Sequence, residues 1–147
     1  MPRVLVTDAG TRNSIPIIRS LGSRGIEVVG SDESWFALCF FSRYCSRRLV
    51  YPSAQRYPER WLSWLTEELS RHSYDMVMPV GDDTVGIVSE HRDEVSKYTR
   101  VPVADYATWF RARDKAEVIK LAVRENIPHP QTRFITDLAQ VKTAAEE

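Results

Sequence analysis

A strand, a helix and a second strand follow one another within the first thirty residues, and this order narrows the possible architectures more than any other feature. "RVLVT" (3–7) is a short apolar, β-branched run that ends in the turn "DAGTRNS". From Ser14, apolar residues at Ile15, Ile17, Ile18 and Leu21 suit one face of a helix, which the glycines of "LGSRG" stop. "IEVVG" (26–30) reads as a second buried strand. Two strands joined through a helix are parallel and connected right-handedly, so the chain begins as a βαβ unit.

The alternation continues. "RLVYP" (48–52) is a third strand, and a helix from about Pro58 to Arg71 gathers Trp61, Leu62, Trp64, Leu65 and Leu69 on one apolar face. "DMVMPV" (75–80) is a fourth strand, and "GDDTVGIVSEHRDEV" is a helix expected to start at an aspartate cap. "RVPV" (100–103) is expected as a short fifth strand on an edge, because Pro102 has no N–H for a ladder. The expected fold is a Rossmann-like, doubly wound parallel sheet in three α/β/α layers over residues 1–105. Residues 106–147 form a second segment: a helix-like "ADYATWFRA", the helix of "RARDKAEVIKLAVREN", a possible strand "TRFIT" and a helix "DLAQVKTAAEE". That tail has too few apolar residues for a core of its own.

Composition removes several function classes. The 20 basic and 20 acidic residues cancel, so no global field draws the chain to nucleic acid or an anionic membrane. Arg43, Arg47, Arg48, Arg56 and Arg60 gather locally, either as a solvated surface or as an anion or partner site. Cys39 and Cys45 lack zinc or thioredoxin-type spacing and read as reduced thiols. The early charges at Arg3 and Asp8 leave no room for a secretory apolar stretch. "WFALCFF" (35–41) falls well short of the roughly 18–20 residues that span a bilayer. A cytoplasmic location is expected. The same run is either a segment packed into the core or an exposed docking patch. His72, His91 and His129 read as surface or loop residues.

Ligands of open α/β sheets bind beyond the C-terminal strand ends, where strand order reverses. If the first and fourth strands flank that point, "DAGTRNS" and "PVGDDT" face one crevice. Gly10, Thr11, Arg12 and Asn13 at a helix start would seat a carboxylate or phosphate. Asp82, Asp83 and Thr84 would repel an anion and welcome an ammonium or hydroxyl group. One anion-friendly wall and one acidic wall suit a small substrate such as an amino acid. Each aspartate, Asp8 included, equally fits a purely structural role. A dinucleotide site is the rival reading, with Asp32 where a ribose-binding acid would sit. However, Arg12 and Ile15 stand where the second and third glycines of GxGxxG belong.

"ARDKAEVIKLAVRENIPHPQTRFITDLAQV", with Asp114-Lys115 and Ile127-Pro128-His129-Pro130-Gln131-Thr132, resembles the entry to the ATP-grasp domain of carboxylate-amine ligases. "VLVTDAG", "IIRSLGSRGIEVVGSD", "VYPS" and "MPVGDDT" look like the domain that precedes it in carbamoyl-phosphate-synthetase-like and amino-acid-ligase-like members. The resemblance implies ATP and Mg2+ as cofactors, with Lys115 near the ATP phosphates. It implies an acyl-phosphate route joining a small-molecule carboxylate to an amine, or to another nucleophile such as a thiol, and the remainder of the ATP-grasp domain as the chain's partner. Most magnesium and nucleotide ligands would lie past Glu147, so no metal ligand or catalytic residue is assigned here and the 147-residue chain is expected to be inactive alone. A homodimer is compatible with this reading. The alternative is a free-standing Rossmann-like module that binds a nucleotide or small metabolite.

Overall fold

The computed structural model describes residues 1–135. The chain divides into two compact units, Met1–Tyr106 and the segment from Ala107 onward. In the first unit the strands are β1 (Arg3–Val6), β2 (Glu27–Asp32), β3 (Arg47–Val50) and β4 (Met76–Met78). The helices are α1 (Ser14–Ser23), α2 (Pro58–Arg71), α3 (Asp82–Glu90) and α4 (Arg92–Val95). The strands form one parallel sheet in the order β3-β2-β1-β4, with Val4 opposite both Val28 and Met76.

Period-two alternation sorts the strand residues onto two faces. Leu5, Val29 and Val77 point to one side and pack with Trp61, Leu65 and Leu69 of α2, Val88 of α3 and Val95 of α4. Val4, Val6 and Val28 point to the other and meet Ile18 of α1 together with Ala37, Cys39 and Phe40. The result is the expected α/β Rossmann-like fold, with helices on both faces of an all-parallel sheet. Helix α1 ends at Gly25, whose φ of +78° lies in the left-handed region that glycine occupies without steric cost.

Three sequence expectations change. The fifth strand shrinks to a single parallel bridge, Met76 to Arg100, with Val77 N–H donating to Arg100 C=O at 3.1 Å. Pro102 offers no donor to continue the ladder. The helix expected over "GDDTVGIVSEHRDEV" is two helices divided at His91, and its N-cap is Gly81, with Asp82 and Asp83 inside the first turn. No side chain caps it from within; Gly81 sits in the extended conformation an N-cap needs and is held from outside, as described below. Residues 132–135 of "TRFIT" form no strand, and the helix expected over "DLAQVKTAAEE" lies outside the described residues.

The run at 35–41 combines both of its readings. Ala37, Cys39 and Phe40 are buried around a 3-10 turn at Leu38–Phe41, while Trp35, Phe36, Leu38 and Phe41 are exposed. Cys39 is buried and Cys45 half-buried, and both are free thiols. Among the described residues, no helix is long and apolar enough to cross a membrane.

The second unit carries α5 (Tyr106–Arg113) from its boundary and α6 (Lys115–Arg124). Asp114 caps α6, its carboxylate accepting the N–H of Ala116 at 2.8 Å and of Glu117 at 3.3 Å. Neither helix contains a fully buried residue.

Candidate functional site

Strand order reverses between β1 and β4: the chain first builds outward through β2 and β3, then returns to the far side of β1. The loops after these two strands therefore part at their C-terminal ends, where a doubly wound sheet binds its ligands. A crevice of about 320 Å3 opens there, lined on one side by Asp8, Gly10, Thr11, Asp32 and Glu33. Gly81, Asp82 and Asp83 line it opposite, together with Tyr51, Ser53, Ala54 and Gln55.

Asp8 ties these walls together. It lies two residues past the end of β1, and its φ of 55° places a non-glycine residue in the left-handed region, where aspartate is among the better-tolerated types. Its Oδ2 accepts the N–H of Gly81 at 2.8 Å, the N–H of Val80 at 3.2 Å and the hydroxyl of Thr84 at 2.6 Å. The Thr7 hydroxyl also donates to it. On the other oxygen, Oδ1 accepts the Tyr51 hydroxyl at 3.2 Å, and that same phenol accepts the Asp8 N–H at 3.1 Å. Burial, and secondarily the charge of Asp8, pushes the Tyr51 phenol far above its ordinary range, so it stays protonated and able to donate.

Asp32 plays a similar part nearby. Its Oδ2 accepts the N–H of Gly10 at 2.7 Å and its Oδ1 the N–H of Ser34 at 2.9 Å. The carboxylate considered for a ribose thus holds the loop after β1, and the Gly10 N–H that would meet a pyrophosphate is already engaged. Two of the five carboxylates around the crevice are committed to backbone donors, which leaves Glu33, Asp82 and Asp83 exposed to solvent. Among the described residues, no lysine or arginine lines it.

The structure distributes the sequence-chosen residues unevenly. Gly10, Thr11, Asp82 and Asp83 line the crevice. Arg12 and Asn13 are exposed and stand outside that lining, and Thr84 is buried beneath it against Asp8. Lys115 is exposed at the first position of α6, in the other unit. Sequence reasoning missed Tyr51, Ser53 and Gln55 as lining residues. Their signal was "VYPS", a strand end carrying a tyrosine and a turn, but nothing local reveals that the tyrosine reaches a residue 43 positions earlier. Among the described residues, no three His, Cys, Asp or Glu side chains converge as metal ligands do.

No family model and no curated relative matches the chain. Solved structures do. A glycinamide-RNase-transformylase T from Mycobacterium tuberculosis aligns with 97% of the chain at 18% identity and a TM-score of 0.65. An L-amino acid ligase from Bacillus licheniformis aligns with 99% at 10% identity and a TM-score of 0.67. The biotin carboxylase domain of a single-chain bacterial carboxylase aligns with 99% at 19% identity and a TM-score of 0.60. The chain spans 38%, 42% and 34% of these three in turn. All three are ATP-grasp enzymes, and the fold is that of their N-terminal domains.

Proposed function

We propose that the chain is the N-terminal, substrate-side part of an ATP-dependent carboxylate-amine ligase, and that its crevice seats the amine-bearing substrate. The observation that carries this is the crevice itself. It lies at the switch point between β1 and β4, presents Asp82 and Asp83 from the first turn of α3, and has no lysine or arginine among the described residues that line it. Such a surface attracts an ammonium group and repels phosphate. The fold shared with ATP-grasp enzymes supports the ligase class.

In this reading a substrate carboxylate is phosphorylated by ATP and the amine then displaces phosphate from the acyl phosphate. The part assigned to this chain is binding and orientation: the acidic wall holds the amine end and the loop after β1 bounds it. Lys115, at the start of α6, is the residue here proposed to approach the ATP phosphates as a mobile point charge. The described residues gather no magnesium ligand set, so Mg2+ enters no step assigned to them. Small-molecule acid and amine are the proposed partners, and the whole enzyme is proposed to work in the cytoplasm.

Calorimetric titration with Mg-ATP and, separately, NAD tests the reading. It is run on the chain and on a longer protein that contains it. Binding of Mg-ATP by the longer protein alone is the expected result. Tight binding of either nucleotide by the 147-residue chain would favour a self-sufficient nucleotide-binding module instead.

A further inference from the structure

Asp8 lines the crevice, yet its carboxylate is already engaged by five donors, four of them on one oxygen. Oδ2 faces the N–H groups of Val80 and Gly81 and the hydroxyls of Thr7 and Thr84, while Oδ1 faces the Tyr51 hydroxyl. A carboxylate has about two lone-pair sites on each oxygen, so Oδ2 is saturated and a ligand reaching it would have to displace a donor, while Oδ1 keeps one site beside its bond from Tyr51. The donors come from three parts of the chain: the end of β1, the residue after β3, and the turn that enters α3. The carboxylate therefore joins the walls of the crevice.

We infer that Asp8 is a positioning residue: it fixes the Gly81–Thr84 turn against the end of β1, and so sets where Asp82 and Asp83 stand, without itself meeting the ligand. Two further observations point the same way. Gly81 approaches so closely that an added Cβ would lie 2.7 Å from Asp8 Oδ1 and 2.9 Å from its Cγ. Thr84, the other anchor of the turn, is 1% exposed and lies outside the crevice lining. The inference rests on the proposal that Asp82 and Asp83 hold a substrate ammonium group.

Thr84→Val separates positioning from direct contact, because the two roles give opposite results. Valine keeps the volume and removes the hydroxyl that anchors Asp8 Oδ2. The probe is methylammonium chloride, titrated into the 147-residue chain at constant ionic strength and followed through the amide resonances of Asp82 and Asp83. If Asp8 positions, Thr84→Val weakens methylammonium binding about tenfold, and Asp8→Asn, which keeps an oxygen for the turn, stays within about threefold of the parent. If Asp8 contacts the ligand, Asp8→Asn abolishes binding while Thr84→Val leaves it unchanged or tighter, and the inference is overturned.

Hydrogen exchange at the Val80 and Gly81 amides supplies the second arm. Positioning requires that Thr84→Val and Asp8→Ala accelerate exchange there, with β2 and α2 unaffected, and that Asp8→Asn preserve protection. Undiminished protection in Thr84→Val would overturn it. Should the parent chain ignore methylammonium, the amine reading of the crevice falls alone, and this arm still decides the role of Asp8. Should Asp8→Ala fail to fold, Thr84→Val and Asp8→Asn carry both arms.

Discussion

Asp8 Oδ2 accepts the Gly81 N–H at 2.8 Å across 73 residues of sequence, and this bond pins the C-terminal end of β1 to the start of α3. Gly81→Ala places a methyl group 2.7 Å from Asp8 Oδ1, and the carboxylate cannot retreat because five donors hold it. Gly81 has ordinary extended dihedrals, so the conflict is one of space and not of backbone conformation. Overpacking of this kind costs about 1–3 kcal/mol, to be read as a lower urea midpoint at unchanged slope.

Tyr51→Phe should destabilise by about 1–3 kcal/mol, since it leaves both Asp8 Oδ1 and the Asp8 N–H short of a partner. The ring contacts with Trp61 at 5.9 Å and Trp64 at 5.1 Å remain, so the loss isolates the hydroxyl. The same phenol makes stability depend on alkaline pH. Burial raises the Tyr51 and Tyr74 phenols, helped respectively by the charge of Asp8 and by the hydrogen bond to Glu68. Below about pH 10 each phenol is protonated in both states and its contribution is complete. Above that the unfolded chain releases protons that the folded chain keeps, so stability falls by up to about 1.4 kcal/mol per pH unit per phenol. Denaturant titrations between pH 9 and pH 11 should show this decline, and Tyr51→Phe should make it shallower.

Trp61 and Trp35 test how far the aromatic residues divide between core and surface. Trp61 is fully buried and its indole N–H meets no hydrogen-bond partner among the described residues, so Trp61→Ala should cost about 3–5 kcal/mol through lost packing alone. Trp35 is 72% exposed, and Trp35→Ala should stay within about 0.5 kcal/mol of the parent.

Asp114→Ala removes the acceptor for the Ala116 and Glu117 amides at the start of α6. Loss of such a cap costs about 0.5–2 kcal/mol, and faster hydrogen exchange at those two amides would register it. Lys115→Ala, one residue on, should leave that exchange unchanged, which makes it the cleaner probe of a role toward ATP.

Sequence pattern carried the sheet because its signals are local. β1, α1 and β2 each declare themselves through apolar spacing and a glycine stop, and the return of β4 beside β1 follows from the general topology of parallel sheets. The fifth strand misled because "RVPV" has strand composition, while pairing depends on donors that Pro102 lacks and stops at one bridge. The site was legible only in outline. Gly10, Thr11, Asp82 and Asp83 lie in loops that the topology brings together, whereas Arg12 stands outside the lining: proximity in sequence to a lining loop does not place a side chain in the crevice. The left-handed backbone of Asp8 and its partner Tyr51 are products of tertiary packing, and no periodicity encodes them.

Asp82 and Asp83 are proposed to hold the amine end of a ligase substrate. The most direct measurement is amine-dependent phosphate release from ATP by a longer protein containing this chain, compared with Asp82→Asn and Asp83→Asn. The expected result is a KM for the amine raised about tenfold, equivalent to ~1.4 kcal/mol of lost binding, with the KM for ATP nearly unchanged. An unaltered amine KM in both variants, or a change confined to ATP, would contradict it.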